Sequence, residues 1–130
     1  MEPLEASLHL DLSLLRGLRR NLATWLRKVG VTDEIRDEVI LATHEAAANA
    51  IEHADPDTEV TVRAVQSDGK IIIHVVNRGR WTPPRSPEEM RGRGLSLIEK
   101  LMSDVEIQAK RGWTTVTMWR ELPQVASTLA

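Results

Sequence analysis

Glu45 and Asn49 stand one helical turn apart in the run His44-Glu45-Ala46-Ala47-Ala48-Asn49-Ala50-Ile51-Glu52-His53. On a helix they present a carboxylate and an amide oxygen to one spot. Both are hard oxygen ligands, the kind that magnesium accepts alongside phosphate. Glu38, Glu45, Asn49 and Glu52 fall on one stripe of that helix, and Val39, Ala42, Ala46 and Ala50 on another. The small alanines let the helix lie close to strands while the polar stripe meets a ligand; the alternative for the polar stripe is a solvated face. A second group is Val75-Val76-Asn77-Arg78-Gly79-Arg80 at a strand end, followed by Arg91-Gly92-Arg93-Gly94 opening a helix. Glycines at a helix start let backbone N–H groups approach an anion, and the dipole favours phosphate there. The plainer alternative is a tight turn and a helix entry.

The elements that must position these residues follow from pattern. Leu14, Leu15, Leu18, Leu22, Trp25, Leu26 and Val29 recur at helical spacing within a helix from Leu12 to Val29, stopped by Gly30. Leu8 and Leu10 alternate with His9 as a short strand. Thr32 is an N-cap with Asp33 and Glu34 in the first turn, so a second helix runs to about His53, ended by Asp55-Pro56-Asp57. Glu59 to Gln66 and Lys70 to Val76 flank Ser67-Asp68-Gly69 and read as a hairpin, as do Asp104 to Ala109 and Thr114 to Arg120 around Arg111-Gly112. The stretch from Arg78 to Arg93, with three prolines and five arginines, reads as a loop, and Gly94 opens a helix to about Ser103. The tail after Leu122 has no pattern and is expected to fray. Helices segregated from hairpin-built strands predict an α+β two-layer sandwich.

The whole chain bounds the function. Its 130 residues, 42% of them apolar, suffice for one domain. A formal charge of −2 provides no global field for nucleic acid or anionic membrane. The absence of cysteine excludes disulfides and thiolate chemistry and fits reducing cytosol. An acidic start and the lack of any apolar run near the roughly 20 residues of a membrane span predict a soluble, unexported, cytoplasmic chain. His44-Glu45 begins like a zincin motif, but Ala48 stands where the second histidine is required, and no P-loop signature occurs.

Taken together and in this order, the segments resemble the GHKL ATPase superfamily and, within it, the anti-sigma-factor serine kinases. The run from Glu45 to His53 looks like the N-box of that family. Asn77-Arg78-Gly79 stands where an Asp-x-Gly adenine-reading box belongs. Gly92-Arg93-Gly94-Leu95 looks like the second glycine box, and Thr114-Thr115-Val116 resembles the closing Thr-Thr-Val strand. The resemblance covers about residues 8–122 and treats the chain, 1–130, as a single ATP-binding kinase-like domain.

The resemblance implies a Bergerat-type fold: a mixed, largely antiparallel sheet with helices on one face and ATP between the second helix and the Arg78 to Arg93 lid. Asn49 would hold magnesium, Glu45 would act as general base on a serine hydroxyl, and Gly92 and Gly94 would shape the phosphate loop. Arg91 and Arg93 would meet the γ-phosphate, as guanidinium groups pair well with phosphate oxygens. His53, Asn77, Gly79, Leu95 and Thr114 complete the implied nucleotide contacts. The implied partners are an anti-sigma-factor antagonist and an RNA polymerase sigma factor, with a homodimer as the assembly, and without direct nucleic-acid or membrane binding. Three departures stand out: Asn77 replaces the usual aspartate, Trp81 and Trp113 replace common glycines, and Met90 sits where some members carry a lid arginine. Two alternative functions remain open: a partner-holding module with weak or lost catalysis, and a regulatory domain of a longer phosphatase or sensor protein.

Overall fold

The computed structural model describes residues 2–9, 11–79 and 82–123. The expected frayed tail, from residue 124 on, lies outside them, as do Leu10 and Trp81. Strand β1 is Leu4–His9, longer at its start than Leu8 alone indicates. Leu4, Ala6 and Leu8 pair with Ala64, Val62 and Val60 of strand β2 (Glu59–Ser67), so one face of the strand meets the core throughout.

Asp11 caps a 3-10 turn at Leu12–Leu14, its side chain accepting from Ser13 N at 2.9 Å. Helix α1, Leu15–Val29, follows; its expected first turn at Leu12 is therefore wound more tightly. Leu15, Leu18, Leu22, Trp25 and Leu26 form its buried face, and Gly30, at φ 91°, ends it in the left-handed conformation. Thr32 Oγ1 accepts from Ile35 N at 3.3 Å and caps α2, Asp33–His53. The expected inner stripe of Val39, Ala42, Ala46 and Ala50 is buried.

Strands β2, Glu59–Ser67, and β3, Lys70–Arg78, join through Asp68-Gly69, both with positive φ as a two-residue hairpin requires. The stretch expected to be a loop contains α3, Pro87–Gly92, in which Ser86 caps by accepting from Glu89 N at 3.1 Å and Pro87 opens the first turn. Helix α4 is Leu95–Leu101, and β4, Asp104–Lys110, and β5, Trp113–Glu121, close the chain.

The sheet order is β1-β2-β3-β5-β4, antiparallel at every pairing among the described residues. The parallel component of the expected mixed sheet is absent from these pairings for a simple reason. Strand β5 returns into the gap between β3 and β4, which run the same way, so these two never touch. The helices cover the face that carries Val60, Val62, Ile71, Ile73, Val75 and Met118, which gives the expected two-layer α+β sandwich with one core. Among the described residues no helix is long and apolar enough to cross a membrane.

On the opposite face, His74 sits across from Arg63 on β2 and Thr117 on β5, its Nδ1 3.2 Å from Thr117 Oγ1. Burial, and secondarily the Arg63 charge, hold the imidazole below its ordinary value of 6.5. A folded-state value below the unfolded one means that the unfolded chain binds the proton first as pH falls. The stability linked to His74 is therefore present above about pH 6.5 and lost as pH drops through the lower folded-state value. Urea midpoints measured across this range are expected to fall less steeply in His74→Gln than in the native chain; equal slopes would remove His74 from the acid response.

Candidate functional site

Helix α2 lies close to the sheet because its contact stripe is alanine. Where its C-terminal half passes the end of β3, a narrow cleft separates it from α4 and β5. Of the residues singled out in the sequence, Asn49, His53, Asn77, Arg93, Leu95 and Thr114 line it, and Ala46, Ala50, Ile98, Ile107 and Val116 make its apolar walls. Asn77 is only 4% exposed, and among the described residues no hydrogen bond engages its amide. Because Asn77 lines the cleft, its amide is available to a polar partner there.

The turn after β3 is fastened on three sides. Gly79 N donates to Gly112 O at 2.8 Å, Gly79 O accepts from Thr114 Oγ1 at 3.0 Å, and Arg78 O accepts from Asp55 N at 2.7 Å. A Cβ on Gly79 would stand 2.6 Å from His53 O, so only glycine lets this turn press against the end of α2.

Across the cleft, Asn49 Nδ2 donates to the Arg93 carbonyl. With its nitrogen so engaged, the amide keeps Oδ1 as an acceptor. Glu45, one turn earlier, is half-buried beneath Gly94: its Oε2 lies 2.6 Å from where a Cβ on Gly94 would be, and Gly94 holds a positive φ of 70°. On its other side Glu45 borders a hollow shared with Arg19, Asp37, Ile40, Leu41 and His44. There an Arg19 Nη donates to His44 Nδ1 at 2.8 Å, which leaves the imidazole proton on Nε2.

The remaining predicted residues sit elsewhere. Arg91 and Gly92 are exposed at the end of α3 and do not line the cleft; Arg91 reaches Glu88 at 3.6 Å. The Arg93 guanidinium donates to Glu89 and to Thr82 O, so it braces the segment around α3 from within. The Arg85 amide, donating at 2.8 Å, holds the Glu89 carboxyl below its ordinary value, and Arg93 adds to this. Of the outer polar stripe, Glu38 pairs with Arg120 at 2.7 Å and Glu52 faces solvent. The Glu89–Arg93 brace and the Arg19–His44 contact were not anticipated. The first carries a readable signal, opposite charges four residues apart, and the second joins separate helices and has none.

Comparison with known proteins fits this architecture. Residues 8–120 match the histidine kinase-like ATPase domain family. Serine-protein kinase RsbW of Bacillus subtilis is 30% identical over 124 residues, spanning 81% of this chain and 76% of that protein. The Bacillus velezensis protein of the same name is 28% identical over 123 residues with the same coverage. Among solved structures, the RsbU and RsbW domains of a Mycobacterium tuberculosis protein superpose with a TM-score of 0.77 at 27% identity over 94% of this chain; the chain spans 33% of that longer one. The catalytic domain of histidine kinase ThkA shares the fold, with a TM-score of 0.61 at 18% identity, covering 93% of this chain and 96% of that one. The chain belongs to the histidine kinase-like ATPase domain family of the GHKL superfamily, and within it to the anti-sigma-factor serine kinases.

Proposed function

We propose that this chain is an ATP-dependent protein serine kinase that phosphorylates an anti-sigma-factor antagonist and also binds a sigma factor, as one cytoplasmic domain with its core at residues 8–122. The observation that carries the reading is the convergence of Asn49, Asn77 and Thr114 on one apolar cleft, with Thr114 holding Gly79 at the end of β3 and Glu45 packed beneath Gly94, one turn before Asn49.

The residues present fit a purine nucleotide. Asn77 offers the cleft a buried amide oxygen that accepts from an adenine amino group, and the apolar walls suit a flat base. Gly79 and Thr114 hold that pocket in shape, and His53 and Leu95 flank it. Asn49 Oδ1 would hold magnesium, and Gly92, Gly94, Arg91 and Arg93 would serve the phosphate side once the segment that carries them closes on the nucleotide. Bound ATP supplies the phosphoryl group, with ADP leaving. Glu45 accepts the proton of the incoming serine hydroxyl, a role that needs only an ionised carboxylate within reach.

The test is transfer of label from γ-labelled ATP to serine of a cognate antagonist. Labelled phosphoserine is the expected product. ATP binding without transfer would favour the partner-holding reading, which the neutral amide of Asn77 in place of a carboxylate supports.

A further inference from the structure

The kinase reading does not use Trp113, Arg78 or the tip of the last hairpin. Strand register places Trp113 directly opposite Arg78 on β3 and opposite Lys110 on β4. Residues directly opposite in adjacent strands share a face, so an indole stands between two cations at the end of the sheet's outer face. The Arg78 guanidinium carbon lies 5.6 Å from the Trp113 ring centroid, and the indole is 47% exposed. Arg111 adds a third cation at the hairpin turn. Among the described residues none of these three cations joins an ion pair; Asp55 approaches Arg78 through its backbone alone. Beside them an open hollow lies between Lys110, Gly112, Gly79 and Thr82.

We infer that this hairpin tip is a docking surface for an acidic segment of a protein partner. Three cations without an ion pair among the described residues, around one exposed, Arg-stacked indole on a chain whose net charge is −2, form a local patch complementary to carboxylates. The indole provides the amphipathic anchor that binding surfaces concentrate their energy on. A nucleic acid is disfavoured because its backbone requires neutralisation along many phosphates, whereas this patch is short and the chain around it acidic. The surface also adjoins the cleft: Gly112 O holds Gly79 N, and Thr114, next to Trp113, holds Gly79 O. The inference goes beyond the kinase reading and does not rest on it.

The test is fluorescence anisotropy on the full chain with three labelled probes: a decapeptide alternating glutamate and leucine, its lysine counterpart, and a deoxythymidine decamer. The acidic peptide is expected to bind, with affinity falling as salt rises from about 50 to 300 mM. Lys110→Glu and Arg111→Glu, both at exposed positions, are each expected to weaken it roughly tenfold or more while ATP affinity, measured on the same variants, stays unchanged. No binding of the acidic peptide, unaltered binding in both variants, or tighter binding of the decamer would overturn the inference.

Discussion

Replacing Glu45 by glutamine is expected to lower phosphoryl transfer to a serine acceptor by about two to four orders of magnitude, the range over which a positioned general base contributes. Glutamine has nearly the same shape, so it keeps the packing of this side chain beneath Gly94, where Oε2 comes within 2.6 Å of the position a Cβ would take. What it lacks is a lone pair basic enough to take the hydroxyl proton. ATP affinity should stay near the native value, because Glu45 is not among the residues lining the cleft. The pair of measurements, transfer and binding, separates loss of chemistry from loss of the site. Transfer within about threefold of native by Glu45→Gln would assign the base to another group.

Gly79→Ala is the second large effect. Its Cβ would meet His53 O at 2.6 Å, Asn77 Nδ2 at 3.2 Å and Ala54 Cα at 3.3 Å. Two of these neighbours are backbone, and no rotamer change relieves the clash. The end of β3 must instead part from the end of α2, and the bonds from Asp55 N to Arg78 O and from Gly79 N to Gly112 O are lost or stretched with it. The expected cost is about 2–4 kcal/mol of folding stability, in the upper range for single substitutions. ATP affinity should fall at least roughly tenfold, because Asn77 moves with the turn. Gly17→Ala is the control: nothing lies within 4 Å of its Cβ in α1, and alanine there should add about 0.5–1 kcal/mol. Urea unfolding of both variants reads the contrast, and a Gly79→Ala midpoint equal to native would show that the turn yields freely.

The sequence made the helices and hairpins legible wherever a single local signal dominated. Leucines at three-to-four spacing marked α1, Thr32 with its acidic first turn marked α2, and Asp68-Gly69 and Arg111-Gly112 marked the turns. Helix α3 was hidden because the prolines and arginines around it read as loop. Ser86-Pro87-Glu88-Glu89 nevertheless holds a cap, a first-turn proline and acidic residues in helix-starting order. The start of β1 was missed because Leu4-Glu5-Ala6-Ser7 alternates too weakly alone, and pairing with β2, more than fifty residues on, settles it. At the site, the one-turn spacing of Glu45 and Asn49 was readable, as was the stripe behind them. That Asn77 would be buried toward the same cleft depended on the strand order, which local pattern does not contain. The bracing of Arg93 by Glu89 and Thr82 depended on a helix within the lid that was not foreseen.

Calorimetric titration of the full chain with ATP and magnesium, with GTP and the Asn77→Asp variant alongside, decides whether the α2–β3 cleft is a nucleotide site. Saturable binding of ATP in preference to GTP is expected of the native chain, and tighter binding by Asn77→Asp, whose carboxylate accepts more strongly from the adenine amino group. An absence of ATP binding by both the native chain and Asn77→Asp would contradict the assignment of the cleft as a nucleotide site.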